Sequence, residues 1–164
     1  MGKREALLIY GEGGHRAEMR ALFDELLVRT GSKIQYFGMY ENSDNIDALS
    51  GNVELPVIRD KFSLLKTFFN CIYAPWIIIF KTLRIDLTRS ICVVISVGPG
   101  ISILPCLYYK IFRGKVTIIY LENSCKYRWS YTGRLMHILA DHFFVQDTSL
   151  LSVYSKAVYA GKLL

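Results

Sequence analysis

The chain alternates short, nearly unbroken apolar runs with longer stretches in which apolar residues recur at helical spacing. Runs near Ala6–Tyr10, Lys33–Phe37, Val53–Ile58, Cys92–Val97, Val116–Leu121 and His142–Val145 have strand length. Strands apolar on both sides belong to a sheet covered on both faces. The longer stretches predict helices near His15–Arg29, Lys61–Leu83, Ile101–Phe112 and Tyr131–Ala140, with Glu41–Leu49 a loop or short helix. This alternation gives an α/β fold, a Rossmann-like parallel sheet with helices on both faces. With right-handed crossovers and the common strand order 3-2-1-4-5-6, strands one and four are neighbours at the switch point. The glycine turns Gly11–Gly14, after strand one, and Gly98-Pro99-Gly100, after strand four, then open onto one crevice.

Length and composition sharpen this picture. The 164 residues suffice for one core, so residues 1–164 are expected to form a single domain. Hydrophobic residues make up 52% of the chain and charged residues 21%, against about a quarter charged in a typical globular chain. Some apolar surface is therefore expected to have a partner outside the core. Residues 61–84 are the most apolar region. Between Lys66 and Lys81 lie 14 uncharged residues, which as helix span about 21 Å, short of the ~30 Å hydrocarbon core. The expectation is a helix that lies in a membrane interface without crossing it, with Phe68, Phe69, Tyr73, Trp76, Ile77 and Phe80 as the associating residues. A core helix packed on the sheet, or a helix with one face on the sheet and the other on lipid, is the competing arrangement.

Net charge is +6, which permits anionic membrane, nucleic acid or phosphorylated ligands and chooses none of them. The basic residues Arg113, Lys115, Lys126, Arg128 and Arg134 are scattered, and the aromatics near them follow no RNA-binding signature; no nucleic-acid partner is expected. Four cysteines, Cys71, Cys92, Cys106 and Cys125, form no Cys-x-x-Cys pair. They are expected to be free thiols, with no metal site and no disulfide framework. The first apolar run is too short for a signal peptide, and the chain is expected to stay inside the cell.

Candidate chemistry gathers at the glycine turns. Helix N-termini present free N–H groups and glycine admits close approach of a phosphate, so Gly11, Gly13, Gly14, Ser96, Gly98 and Gly100 are candidates for binding a diphosphate; plain strand-to-helix turns would use the same glycines. Arg16 takes the place of the third glycine of a dinucleotide fingerprint, and the run Ile34-Gln35-Tyr36-Phe37-Gly38 ends strand two without an acid. Both argue against a self-sufficient nucleotide-binding module. His15 falls in the first helical turn, where the dipole favours the neutral imidazole; general base and orienting residue are both open to it. Glu18, three residues on, either orients His15 or complements the helix dipole. Glu122 closes the run Val116–Leu121 and emerges where open α/β folds bind ligands. Asn123 and Ser124 beside it are candidates for hydrogen-bonding sugar hydroxyls, or for capping a turn.

The segments "GEGGHRAEM" near the N-terminus, "SVGPG", "IYLENS", "TGRLMHILADHFFVQ" and "KAVYAG" occur in this order along nearly the whole chain. Together they resemble the bacterial polysaccharide-biosynthesis PssD (CpsF-like) family, homologous to the eukaryotic asparagine-linked glycosylation fourteen protein. The resemblance implies the N-terminal, acceptor-side half of a split, inverting GT-B glycosyltransferase. A separate PssE-like subunit would bind the UDP-sugar, and a polyprenyl-diphosphate-linked saccharide would be the acceptor in capsule or exopolysaccharide biosynthesis. No cofactor is implied. The site would comprise His15, Glu18 and Glu122 as catalytic residues and the two glycine turns as the diphosphate seat. Localisation would be peripheral or monotopic on the cytoplasmic face of the bacterial inner membrane. A non-catalytic membrane adaptor that recruits a catalytic subunit is the alternative.

Overall fold

The computed structural model describes residues 4–41, 46–58 and 64–163. Its elements in chain order are β1 (Arg4–Tyr10), α1 (Gly14–Thr30), β2 (Ile34–Glu41), β3 (Asn52–Leu55), α2 (Leu64–Thr88), β4 (Ile91–Val97), α3 (Ile103–Phe112), β5 (Thr117–Leu121), α4 (Tyr131–Leu139), β6 (His142–Val145) and β7 (Ala157–Tyr159). The strands form one sheet in the order β3-β2-β1-β4-β5-β6-β7, and every pairing is parallel. This is the doubly wound order expected from the sequence, extended by β7. Three residues are too few to show a period, which is why β7 had no signature of its own.

Apolar strands are sandwiched because both faces are covered. On one face Leu7, Ile9, Val94, Ile118 and Tyr120 pack with Ala74, Ile78 and Ile85 of α2, Cys106 and Tyr109 of α3, and Met136 of α4. On the other, Ala6, Leu8, Tyr10 and Val97 pack with Met19 and Phe23 of α1. Three helices therefore share one face and α1 covers the other.

Two expectations require correction. β2 does not stop at Gly38 but continues to Glu41, so a carboxylate does end strand two; the parallel register with β1 carries it on, residue for residue, to Tyr10↔Tyr40. The predicted helix Lys61–Leu83 has residues 61–63 outside the described residues and runs on to Thr88. At 25 residues it is about 37 Å long, and Thr67–Thr88 is long and apolar enough, by length and composition, to cross a membrane. Shortness is thus no argument against spanning. Packing is: Ala74, Ile78, Thr82, Ile85 and Asp86 are buried, and Asp86 accepts hydrogen bonds from Tyr108 Oη and Arg113 Nε of the α3 region (2.9 Å each). A spanning α2 would have to strip this face from the core.

Candidate functional site

Three loops meet at the carboxyl edge of the central strands: Gly11–Gly14 after β1, Gly98–Gly100 after β4 and Glu122–Lys126 after β5. Their glycines let them touch. Gly13 and Gly98 have φ of +60° and +69°, in the left-handed region where a side chain is strained. A Cβ on Gly98 would lie 2.6 Å from His15 Cε1 and 2.7 Å from Nδ1, so the missing side chain is the seat of the imidazole. Gly11 closes the other side, where a Cβ would lie 3.2 Å from Pro99 Cβ and 3.5 Å from His15 Cδ2. His15 is lodged between the two turns.

The third loop is tied to α1 by side chains. Asn123 Nδ2 lies 3.2 Å from His15 Nδ1, and Ser124 N–H donates to Glu18 Oε1 (2.8 Å). Glu18 is 1% exposed, and among the described residues its Oε2 has no partner. Asn123 is also buried, with Oδ1 accepting from Cys125 N–H (2.8 Å). Both its polar atoms are thus engaged within the protein. The imidazole pKa is lowered, as the sequence suggested, but the leading cause is burial and not the helix dipole; Lys126 lowers it further, while Glu18 and the Val97 carbonyl oppose the shift.

Glu122 follows β5 as expected, yet its side chain turns inward and is 1% exposed. Oε2 accepts from Ser130 Oγ (3.1 Å) and Oε1 from Tyr120 Oη (3.4 Å), while Gln146 Nε2 donates to its backbone carbonyl (3.1 Å). Ser130 Oγ in turn accepts from Gly133 N–H (2.8 Å) as the N-cap of α4. Burial raises the Glu122 pKa, against the lowering effect of Ser130, the Asn123 backbone, Lys126 and Tyr120. The carboxylate fastens α4 to the sheet.

Ser96 lies inside β4 and is fully buried. It pairs across the sheet with Ile9 and Tyr120, which face the three-helix layer, and among the described residues its hydroxyl has no hydrogen-bond partner. Gly13, Gly14 and Gly100 are exposed, and the N-cap residue of α1, Gly13, has no side chain with which to cap the helix. The first-turn N–H groups of α1, which have no intrahelical partner, thus begin at exposed backbone of the glycine turn. Among the described residues, no three His, Cys, Asp or Glu side chains gather to hold a metal ion.

On its outer face α2 exposes Phe68, Phe69, Tyr73, Trp76, Ile77 and Phe80, with Trp76 74% and Phe80 65% accessible. Exposed Leu107, Ile111 and Phe112 of α3 add to the apolar surface of the same layer, which helical spacing in a ten-residue segment had not revealed. Ser130, Tyr154, Gln146 and Gly133 also escaped the sequence reading. Only Gly133 carried a signal, being a lone glycine within a helical pattern, which commonly marks close packing.

The sequence pattern of the family described as "Oligosaccharide biosynthesis protein Alg14 like" matches residues 6–163. The UDP-N-acetylglucosamine transferase subunit ALG14 of Mus musculus is 24% identical over 182 residues, covering 96% of this chain and 82% of the mouse protein. The corresponding subunit of Schizosaccharomyces pombe is 27% identical over 177 residues, covering 97% and 83%. Among solved structures, MurG of Acinetobacter baumannii superposes with a TM-score of 0.59 at 12% identity, over 88% of this chain and 41% of MurG. This chain thus spans less than half of that protein. Its sheet corresponds to the N-terminal, Rossmann-like half of a GT-B glycosyltransferase.

Proposed function

The chain belongs to the Alg14-like family of oligosaccharide biosynthesis proteins, and from that premise we propose that it is the acceptor-binding subunit of a two-chain inverting glycosyltransferase. The observation that carries the proposal is the seat of His15: an imidazole held between two glycine turns, at a helix N-terminus that begins on exposed glycine, on a sheet with the strand order of one Rossmann-like half. The first-turn N–H groups of α1 receive a phosphate of a polyprenyl-diphosphate-linked saccharide, and His15 contacts the acceptor next to it. Glu18 and Glu122 act behind this site by holding the β5 loop and α4 in place. The donor UDP-sugar binds mainly to a second, PssE-like subunit, and capsule or exopolysaccharide biosynthesis is the setting. The relatives' names make UDP-N-acetylglucosamine the donor to try first.

The apolar outer face of α2 rests on the membrane, bringing the crevice to a lipid-linked acceptor. Tyr73 and Trp76 suit the headgroup region, and the buried opposite face keeps the helix on the sheet, so attachment is peripheral or monotopic, on the cytoplasmic face of the bacterial inner membrane.

The test is reconstitution. The chain with a PssE-like partner should transfer sugar to a polyprenyl-diphosphate acceptor, and either chain alone should not. His15→Ala in that complex should cut turnover by about 10²–10⁴ if His15 moves a proton, or by about 10²–10³ if it donates a hydrogen bond to developing charge. Micromolar binding of UDP-sugars by the isolated chain, or unchanged turnover and acceptor KM in the His15→Ala complex, would refute the assignment.

A further inference from the structure

The contacts that seat His15 also decide where its proton sits. Asn123 Nδ2 is 3.2 Å from His15 Nδ1, and the amide is not free to turn over and present its oxygen, because Oδ1 already accepts Cys125 N–H at 2.8 Å. An amide NH2 only donates, so Nδ1 is the acceptor in this pair. A neutral imidazole with its lone pair at Nδ1 carries its single proton at Nε2. Resting on the acceptor-subunit reading above, we infer that Asn123 is a positioning residue that fixes His15 as the Nε2–H tautomer, so that His15 meets the acceptor diphosphate as a hydrogen-bond donor and is not the base that deprotonates the attacking sugar hydroxyl.

The surroundings agree with a neutral ring. Burial and Lys126 disfavour the imidazolium, and Glu18 and the Val97 carbonyl favour it; a second proton, on Nδ1, would also stand 3.2 Å from the Asn123 nitrogen, donor against donor. The Val97 carbonyl is the competing acceptor. It would draw a proton to the ring, but occupation of Nδ1 by that proton incurs the same clash with Asn123. The choice of amide orientation follows from the Cys125 bond, and that bond is local to the loop. It does not depend on the ligand. With Nε2 already protonated and Nδ1 occupied by the Asn123 amide, neither ring nitrogen of His15 is left to take up the hydroxyl proton.

The decisive measurement uses the isolated chain. A two-bond ¹H–¹⁵N correlation on the imidazoles of ¹⁵N-labelled protein above pH 7 distinguishes a pyridine-like from a pyrrole-like nitrogen at each ring. His15 is assigned against His137 and His142 by the signals lost in His15→Gln. The expected result is a pyridine-like Nδ1 and a protonated Nε2. Asn123→Asp should reverse the pattern, because a carboxylate accepts from Nδ1–H, and should raise the imidazole pKa; the aspartate can still accept Cys125 N–H, so the turn is retained. A protonated Nδ1 in the wild-type chain overturns the inference, as does an unchanged tautomer in folded Asn123→Asp. In the reconstituted complex, His15→Gln keeps an N–H donor and should retain turnover within about tenfold of wild type, whereas His15→Ala should lose about 10²–10³; equal losses in the two variants would make His15 a base. A wild-type complex without transferase activity would count against the proposed function alone, since the spectrum reads the tautomer independently.

Discussion

Gly133 and Glu122 are in such close contact that a Cβ on the glycine would lie 2.1 Å from Glu122 Oε2. The same Cβ would meet Tyr154 Oη at 2.4 Å and Ser130 Oγ at 2.9 Å. α4 therefore sits directly on the carboxylate that follows β5, and the cap hydroxyl of Ser130 bridges the two. Gly133→Ala should destabilise the chain by at least about 1–3 kcal/mol through overpacking, despite the gain in helix propensity. Ser130→Ala should cost about 0.5–2 kcal/mol as a lost cap, plus the loss of a donor to buried Glu122. Denaturant unfolding of both variants measures this, and a stabilised Gly133→Ala would show that α4 does not seat as described.

Glu122 also gives stability a pH dependence of definite sign. Burial raises its folded-state pKa above the ordinary value of 4.5, so the folded state holds the proton more tightly than the unfolded chain. Its contribution is full below pH 4.5 and is lost as pH rises through the raised value. Glu122→Gln should flatten that part of the profile. Melting temperatures of wild type and variant between pH 4 and pH 7, taken at about half-unit steps, test it; parallel profiles would be the contrary result.

Gly98→Ala should unseat His15. The substitution places a side chain at φ +69°, at a cost of about 1–2 kcal/mol, and its Cβ would overlap the imidazole. The expected outcome is a folded chain whose His15 titrates closer to the ordinary value of 6.5, because a displaced ring regains solvent. An NMR titration reads this directly, and an unchanged His15 curve would count against the shared seat.

Membrane attachment should be separable from folding. Trp76 and Phe80 are 74% and 65% exposed, so Trp76→Glu and Phe80→Glu should change stability by no more than about 0.5 kcal/mol. Burial of such side chains in lipid is worth about 1.5–3 kcal/mol each, and the double variant should lose at least about tenfold in binding to anionic vesicles. Vesicle sedimentation alongside thermal melts checks both parts, and full binding by a folded double variant would place the membrane contact elsewhere.

Some of this was legible in the chain alone, for a simple reason. Strands buried on both sides must be apolar throughout, so the runs ending at Tyr10, Val97 and Leu121 revealed the parallel sheet, and the doubly wound order brought the two glycine turns to one crevice. Backbone periodicity and turn glycines are local properties, and local sequence states them. What each polar side chain does at the crevice is not local. Glu122 stands at its expected place past β5, yet the descent of α4, permitted by Gly133, turns its carboxylate inward. Ser96 is drawn into the sheet because its neighbours Ile9 and Tyr120 are. Asn123, read as a candidate for sugar, is engaged by Cys125 on one side and His15 on the other, across 108 residues of chain. The sequence by itself determined the sheet, its winding and the meeting of the turns; only the tertiary structure decided which polar atoms are satisfied within the protein and which remain for a ligand, because hydrogen-bond satisfaction depends on groups that only the folded chain brings within about 3 Å of one another.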